Sequence, residues 1–176
     1  MPPVRVAIVS DTHAMLDPRI AALVADCDIA VHAGDIGALE VLRELRPRSG
    51  NVIAVRGNND EPRGWPAIDH TALATLPWET DIELPGGRLA VEHGHRAGTV
   101  AQRHARLRDK HAGARAVVYG HSHRLVIDRD ARPWILNPGA AGRARTHGGP
   151  SCLVLTASAR AWRIEAKRFE PLRARA

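Results

Sequence analysis

The sequence predicts an α/β fold in which a parallel sheet is joined to a second sheet. Short apolar, β-branched runs alternate with helical patterns in roughly the first 60 residues, and the connections between them are short. This alternation is typical of parallel strands with right-handed crossovers. A hairpin signal then follows at Pro85-Gly86-Gly87, and further short apolar runs continue towards the C-terminus.

The first half of the chain supplies the parallel sheet. The run from Val4 to Val9 predicts a strand buried on both faces. Asp17 and Pro18 then mark the start of a helix, because Asp is a favoured N-cap and Pro fits the first helical position. The predicted elements that follow are a strand from Ile29, a helix from Ala38 to Leu45 and a strand from Asn51.

The second half is predicted to be richer in strands. Residues 61–78 contain three prolines and are interpreted as a long irregular connection near the mouth of a site, with room for a short helical turn. After the hairpin, the pattern predicts a basic amphipathic helix from Thr99 to His111 and a buried strand from Ala116. Four short strands within 125–167 are expected to form an antiparallel second sheet. We interpret residues 1–176 as a single domain with a loose tail at 170–176.

The composition is that of a globular protein, with 44% apolar and 25% charged residues. No apolar run approaches the roughly 20 residues that span a bilayer, and the N-terminus leads directly into a strand, so we expect neither a membrane partner nor a signal peptide. Cys27 and Cys152 lack metal-site spacing and are predicted to be buried free thiols. We therefore expect a cytoplasmic protein.

The net charge of +6 is unevenly distributed along the chain. Residues 1–88 contain 8 basic and 13 acidic residues, whereas residues 89–176 contain 17 basic and 6 acidic residues. Such asymmetry raises the alternative of a nucleic-acid partner. This alternative is not favoured, because one Tyr and one Phe offer little surface for stacking of single strands.

Metal-binding residue types follow five of the apolar runs. They are Asp11, His13, Asp35, Asn58, His93, His121 and His123. Oxygen and imidazole donors without a thiolate suit Mn²⁺, Fe²⁺, Ni²⁺, Co²⁺ or Zn²⁺. Seven donors are too many for one ion but suit two ions that share a carboxylate. We therefore predict a dinuclear metal site at the C-terminal ends of the strands, where α/β sheets bind ligands.

These motifs, in this order, resemble the calcineurin-like metallophosphoesterase superfamily. The motifs are Asp11-x-His13, Gly34-Asp35, Gly57-Asn58-Asn59-Asp60, His93-Gly94-His95 and Gly120-His121-Ser122-His123. The short chain and its Asn137-Pro138-Gly139 element resemble the small bacterial and archaeal phosphodiesterase branch. The resemblance extends from Val4 to about Gly142 and implies a two-sheet α/β/β/α sandwich.

The resemblance also implies ligand sets and an activity. It places Asp11, His13, Asp35 and His123 around one ion, and Asp35, Asn58, His93 and His121 around the other, so that Asp35 bridges. The implied reaction is hydrolysis of a small phosphodiester by a metal-bridging hydroxide. Among the divalent transition metals, Mn²⁺ is the first expectation, and Ni²⁺, Fe²⁺, Co²⁺ and Zn²⁺ are alternatives.

One position departs from the superfamily pattern. Many members have a His where this chain has Asn59, and that His is given the role of protonating the leaving group. Asn59 can donate a hydrogen bond to a phosphate oxygen but cannot act as a general acid near neutral pH. Leaving groups of low pKa should therefore be favoured, unless His95 or a water supplies the proton. Asn59 and His95 are the candidate catalytic residues, and Asp60 is expected to orient its neighbours.

Other interpretations stay open at this point. The same site could serve a phosphomonoesterase, or the protein could be a non-catalytic metal-binding scaffold for protein interactions, the role given to the eukaryotic retromer subunit of this fold. A homo-oligomer could form through an edge strand of the 80–92 hairpin. His104 and His111 are predicted to lie on a solvent-exposed face, whereas Trp78 either lines a pocket or packs under a loop.

Overall fold

The first strand, β1 (Val4–Val9), packs against apolar layers on both of its faces. Val6 and Ile8 contribute to one hydrophobic core, whereas Ala7 and Val9 contribute to another. Because successive side chains of a strand point to opposite faces, β1 must lie between two layers. The computed structural model, which describes residues 2–171, shows what those layers are.

The first sheet contains five strands in the order β10-β9-β1-β2-β3. Besides β1, its strands are β2 (Ile29–His32), β3 (Asn51–Ala54), β9 (Ser151–Ala157) and β10 (Trp162–Arg168). Strands β1, β2 and β3 are parallel, whereas β9 pairs antiparallel with both β1 and β10. The predicted parallel sheet is thus extended by two strands from the end of the chain.

The second sheet has the strand order β4-β5-β6-β8-β7. Its strands are β4 (Glu79–Leu84), β5 (Gly87–Glu92), β6 (Ala116–Val118), β7 (Leu125–Asp128) and β8 (Trp134–Pro138). Strands β5, β6 and β8 are parallel, and β4 and β7 are antiparallel edge strands. The prediction that the late strands form one antiparallel sheet was therefore wrong. β9 and β10 belong to the first sheet, and β8 is parallel to β6.

The physical reason lies in β9. Its sequence from Ser151 to Ala157 is apolar on both faces, and nearly every position is buried. Such a strand buries the most apolar surface, and is stabilised most, when strands lie on both of its edges and other layers cover both of its faces. The place beside β1 provides this cover, whereas an edge position in a separate sheet would not.

The helices cover the outer faces of the two sheets, which completes the predicted α/β/β/α sandwich. They are α1 (Pro18–Val24), α2 (Leu39–Glu44), α3 (His70–Thr75) and α4 (Val100–Lys110). Ile20 of α1, Val41 of α2 and Leu73 of α3 pack on the first sheet, and Leu107 of α4 packs on the second. Asp17 caps α1, as predicted, by accepting a hydrogen bond from Arg19 N at 2.9 Å.

The segment 61–78 is more ordered than predicted. It contains two 3₁₀ turns, Pro62–Gly64 and Ala67–Asp69, which lead into α3. The three prolines of this segment argue against a helix in the sequence. In the structure, the completely buried side chain of Leu73 holds α3 against the first sheet.

Other expectations can also be compared with the structure. Cys27 and Cys152 are buried free thiols, as predicted. Within residues 2–171 no helix is long and apolar enough to cross a membrane. Most of the predicted loose tail, residues 172–176, lies outside the described residues.

Candidate metal centre

The seven predicted metal ligands come together at one edge shared by the two sheets. The donors of the first sheet are Asp11 and His13 after β1, Asp35 after β2 and Asn58 after β3. Those of the second sheet are His93 after β5 and His121 and His123 after β6. All of these strands are parallel to a neighbour within their sheets, so their carboxyl ends lie at the same edge.

Most of these donors share an unusual backbone conformation. Five have φ angles between 47° and 65°, in the left-handed region; they are Asp11, His13, Asp35, His121 and His123. Side chains other than glycine adopt this region rarely, and such residues cluster at functional sites. Hydrogen bonds between the turns hold the conformation, for example from Asp11 N to Gly34 O and from His13 N to Asp35 O, both 3.0 Å.

One group of donors consists of Asp11, His13 and His123. Their ligand atoms all lie within 4.8 Å of one another. His123 Nε2 is 3.3 Å from Asp11 Oδ1 and 3.2 Å from His13 Nε2. Two imidazole nitrogens and a carboxylate oxygen thus face a single point, which is the arrangement that a divalent transition metal requires.

A second group forms on the side of the second sheet. Ligand atoms of Asp11, Asp35 and His93 lie within 4.8 Å of one another, and His93 Nε2 is 3.4 Å from Asp35 Oδ1. Asn58 Oδ1 lies 2.9 Å from His121 Nδ1, and the ring centroids of His93 and His121 are 5.4 Å apart. The pair of Asp35 and His93 thus lies next to the pair of Asn58 and His121.

Both carboxylates lie between the two groups. Asp11 contributes to each of them, and Asp35 reaches the first group through Oδ2, 3.9 Å from His13 Nε2. The bridging role of Asp35 therefore stays a prediction, because the geometry gives Asp11 a similar position.

The orientation of His93 fits a bound cation. Its Nδ1 lies 2.7 Å from the carbonyl oxygen of Ala33. Since a carbonyl oxygen only accepts, Nδ1 carries a proton and Nε2 faces the site. Burial opposes a charge on the ring, but the adjacent Asp35 outweighs it and raises the pKa of His93, so a bound cation would take the place of the proton on Nε2. In the described part of the chain this buried Nε2 has no hydrogen-bond partner. A histidine that donates one ring N–H to a carbonyl and directs the other nitrogen into a polar site is typical of a metal ligand.

Burial sets the protonation of one histidine in each group. It lowers the pKa of His123 to about 4, and the charge of Arg145 acts in the same direction. Burial likewise lowers the pKa of His121 to about 4, assisted by the charge of His93. Both imidazoles are therefore neutral near pH 7, and neutral imidazole is the form that binds metals.

The two carboxylates are placed in different environments. Burial raises the pKa of Asp11 to about 7, although the neighbouring His93 opposes this shift. Burial alone would also raise the pKa of Asp35, but the adjacent His93 and two N–H groups of Asn59 outweigh it and hold the pKa below its usual range. A cation between the two carboxylates would favour the ionised form of both.

Asn59 contacts Asp35 directly. Its backbone N–H and its side-chain amide donate to the two oxygens of Asp35 at 2.9 and 2.6 Å. The amide therefore orients a candidate ligand, and Asn59 also lines a pocket together with His13.

Asp60 orients its neighbours, as the sequence predicted. Its buried carboxylate accepts hydrogen bonds from the backbone N–H groups of Ile36, Gly37 and Gly57 and from the Trp65 indole at 2.8–3.0 Å. It thereby joins the turn after β2, which carries Asp35, to the turn after β3, which carries Asn58.

A cleft of about 570 Å³ opens beside the second group. His95 and Trp78 line it together with His93, and the His95 ring lies 5.5 Å from that of His93. Within residues 2–171 the buried Nδ1 of His95 has no hydrogen-bond partner. A cleft of this size matches the volumes of small-molecule sites.

One residue near the centre was missed by the sequence reasoning. Arg145 Nη2 lies 3.3 Å from His13 Nε2 and carries an exposed positive charge next to the first group. It follows no apolar strand, so no local pattern marks it.

The prediction that His104 and His111 are solvent-exposed was wrong. His104 Nδ1 donates to Asp128 at 3.0 Å, and its Nε2 lies 3.1 Å from the Tyr119 hydroxyl. His111 Nε2 lies 2.8 Å from the buried carboxylate of Glu92. Both residues face the second sheet from α4 and are partly buried there.

Comparisons with known proteins bear on the family and the fold of the chain. A family model described as the calcineurin-like phosphoesterase superfamily domain matches residues 4–160. A phosphodiesterase of Methanocaldococcus jannaschii is 26% identical over 144 residues, which cover 77% of this chain and 82% of that protein.

Solved structures show the same fold. A predicted phosphoesterase of Streptococcus pneumoniae has a TM-score of 0.67 and 22% identity, covering 96% of this chain and 91% of that one. Vacuolar protein sorting 29 of Cryptosporidium parvum has a TM-score of 0.71 and 16% identity, with coverage of 97% and 100%.

Proposed function

The chain belongs to the calcineurin-like phosphoesterase superfamily, and from this membership we propose that it is a metal-dependent phosphodiesterase with a dinuclear site. The observation that carries the proposal is the convergence of seven oxygen and nitrogen donors at the carboxyl ends of strands from both sheets. The similarity to a protein named as a phosphodiesterase supports a diester rather than a monoester as substrate.

The donor groups divide between two ions as follows. Asp11, His13, Asp35 and His123 would hold one ion, and Asp35, Asn58, His93 and His121 would hold the other, with Asp35 shared. When bound, two divalent ions lower the pKa of a water between them and neutralise charge on the phosphoryl oxygens. Mn²⁺ is the proposed metal, and the same donors also accept Ni²⁺, Fe²⁺, Co²⁺ or Zn²⁺.

The remaining residues orient the centre and the substrate. The two hydrogen bonds from Asn59 hold the Asp35 carboxylate in place. Arg145, beside His13, can donate to a phosphoryl oxygen and stabilise the charge that develops there. Because Asn59 cannot give up a proton near neutral pH, the chain favours substrates whose leaving group departs as a stable anion.

A phosphomonoesterase is the second candidate, and His95 is the observation that favours it. Its ring lies beside His93 at the cleft, and its buried Nδ1 has no hydrogen-bond partner in the part of the chain that the structure describes. Burial lowers the pKa of His95. The ring is therefore protonated less often at a given pH, but it is a stronger acid when it does carry a proton.

The test is hydrolysis of bis(4-nitrophenyl) phosphate and 4-nitrophenyl phosphate by protein stripped of metal and refilled with Mn²⁺, Ni²⁺ or Zn²⁺. We expect metal-dependent cleavage of the diester, and we expect it to disappear in Asp35→Asn. An Asn59→His variant should gain activity mainly on esters with poor leaving groups, such as phenyl esters, because it restores an imidazole.

Other outcomes would change the assignment. A preference for the monoester with every metal would favour the phosphatase. Binding of two metal ions per chain without hydrolysis of either ester would contradict both enzymes and favour the scaffold.

A further inference from the structure

Trp78 occupies an unusual position for a large aromatic residue. It precedes β4 and remains 38% exposed. It lines the 570 Å³ cleft beside the metal centre and also a neighbouring cleft of about 430 Å³. Aromatic residues contribute most to stability when they are buried, so an exposed indole between two clefts indicates a binding surface.

Two guanidinium groups accompany the indole. Arg96 Cζ lies 4.1 Å and Arg56 Cζ 4.9 Å from its ring centroid, within the range of cation–π contacts. A hydrogen bond of 2.8 Å from Arg56 N to Pro77 O fixes one of them next to Trp78. We call Trp78, Arg56 and Arg96 the recognition wall.

The positive charge of the recognition wall is available to a ligand. Glu79 and Glu92, the acidic residues that line the cleft, are both paired with Lys110. Within residues 2–171, the buried Nε of Arg56 has no hydrogen-bond partner. Guanidinium groups that are not neutralised by carboxylates are suited to binding anionic oxygens.

The recognition wall adjoins the metal centre. The Trp78 ring is 5.9 Å from that of His95, which in turn is 5.5 Å from that of His93. In the sequence, Arg56 precedes Gly57-Asn58 and Arg96 follows His95. A phosphodiester bound at the metal centre would therefore direct one of its substituents over the recognition wall.

We propose that the recognition wall binds a planar, nucleoside-like substituent of a small phosphodiester, with the ring stacked on the exposed Arg96 guanidinium, which itself lies on Trp78, and its polar groups at Arg56. This inference rests on the proposed function, whose substrate class it narrows. The cleft volume of about 570 Å³ lies within the range of small-molecule sites and is large enough for a single nucleotide unit.

The experiment compares two diesters with the same leaving group on the Mn²⁺-loaded protein, thymidine 5′-(4-nitrophenyl) phosphate and methyl 4-nitrophenyl phosphate. We expect kcat/KM to be higher for the thymidine ester. Trp78→Leu should reduce that preference about fivefold or more, because the Arg96 guanidinium loses the aromatic face on which it lies. Trp78→Phe should retain most of the preference, because it keeps an aromatic face. Activity on the methyl ester shows that each variant is folded and metal-loaded.

A binding measurement separates this inference from the proposed function. Calorimetric titration of the Mn²⁺-loaded protein with thymidine 5′-monophosphate and with inorganic phosphate should show tighter binding of the nucleotide, and Trp78→Leu should abolish the difference. That result supports the recognition wall even if no diester is cleaved, in which case only the proposed function fails. Equal binding of both ligands, or an equal loss on both esters in Trp78→Leu, would overturn the inference.

Discussion

The substitution Asp60→Asn tests whether a single carboxylate holds together two of the turns that carry candidate metal ligands. Asp60 is 1% exposed. Its Oδ1 accepts hydrogen bonds from the backbone of Ile36 at 2.9 Å and of Gly37 at 3.0 Å, and from the Trp65 indole at 3.0 Å. Its Oδ2 accepts from Gly57 N at 2.8 Å. Every donor around the carboxylate is an N–H group, so an amide in its place must direct its own N–H₂ at a donor.

The expected loss of stability follows from the number of N–H donors around Asp60. In the better orientation the Asn oxygen replaces Oδ1, and the Asn N–H₂ then faces the N–H of Gly57. One buried donor without an acceptor costs about 1–3 kcal/mol, and the three remaining bonds lose the roughly 1 kcal/mol each that a charged acceptor adds. We expect a loss of about 4–6 kcal/mol in the free energy of unfolding. For a chain of this size that corresponds to a decrease of about 8–24 °C in the melting temperature.

The assay is thermal and urea unfolding of the metal-free protein, with Asp26→Asn as the matched control, because Asp26 is exposed. A second measurement is Mn²⁺ affinity, which should fall about 10- to 100-fold in Asp60→Asn, as is usual when a group that orients metal ligands is removed. If Asp60→Asn melts within about 2 °C of the control, which is less than 1 kcal/mol, the reasoning from the four donors is refuted.

Three further predictions concern other parts of the molecule. In Gly120→Ala the added methyl would overlap Ser10 Oγ and lie 2.9 Å from Asp11 Oδ2, so Mn²⁺ affinity measured by calorimetry should fall about tenfold or more. The control is Gly113→Ala, whose methyl meets only the end of the Arg88 side chain, and it should leave the Mn²⁺ affinity unchanged. Arg145→Ala should lower kcat/KM for the diester about tenfold through loss of a charged hydrogen bond, whereas an equal effect of Arg143→Ala, in the same exposed segment, would contradict a specific role. Hydrogen bonding to Arg108 lowers the pKa of Asp128, so the stability that this carboxylate adds should be present above about pH 4 and lost as the pH falls through its lowered pKa. The free energies of unfolding of Asp128→Asn and of the unchanged protein, measured with urea, should therefore converge in acid. A difference that persists at pH 2 would show that another interaction is responsible.

The seven candidate metal ligands could be proposed from the sequence because the signal for each of them is local. An apolar, β-branched run that ends in Gly-Asp or Asp-x-His marks both a strand and the turn after it. Parallel pairing then brings such turns to one edge without further information. The capping of α1 by Asp17 was predictable for the same reason, since the cap and the helix are adjacent in the sequence.

The order of the late strands could not be predicted, because it depends on pairing between distant residues. β9 pairs with β1 across more than 140 positions, with Val4 opposite Ala157. No local pattern specifies that partner, and only burial on both faces of β9 indicates a central position. The contacts of His104 with Asp128 and Tyr119 depend in the same way on where α4 lies on the second sheet.

The left-handed turns depend both on local sequence and on long-range contacts. A left-handed conformation costs an ordinary residue about 1–2 kcal/mol, and the cost is lower for Asp and His. Five of the candidate metal ligands adopt it, so the turns need support from outside themselves. That support comes from long-range contacts, namely the hydrogen bonds between the turns after β1 and β2 and the Asp60 carboxylate between the turns after β2 and β3. The donor types are therefore encoded locally, whereas their convergence on the candidate metal centre depends on the packing of the strands that carry them.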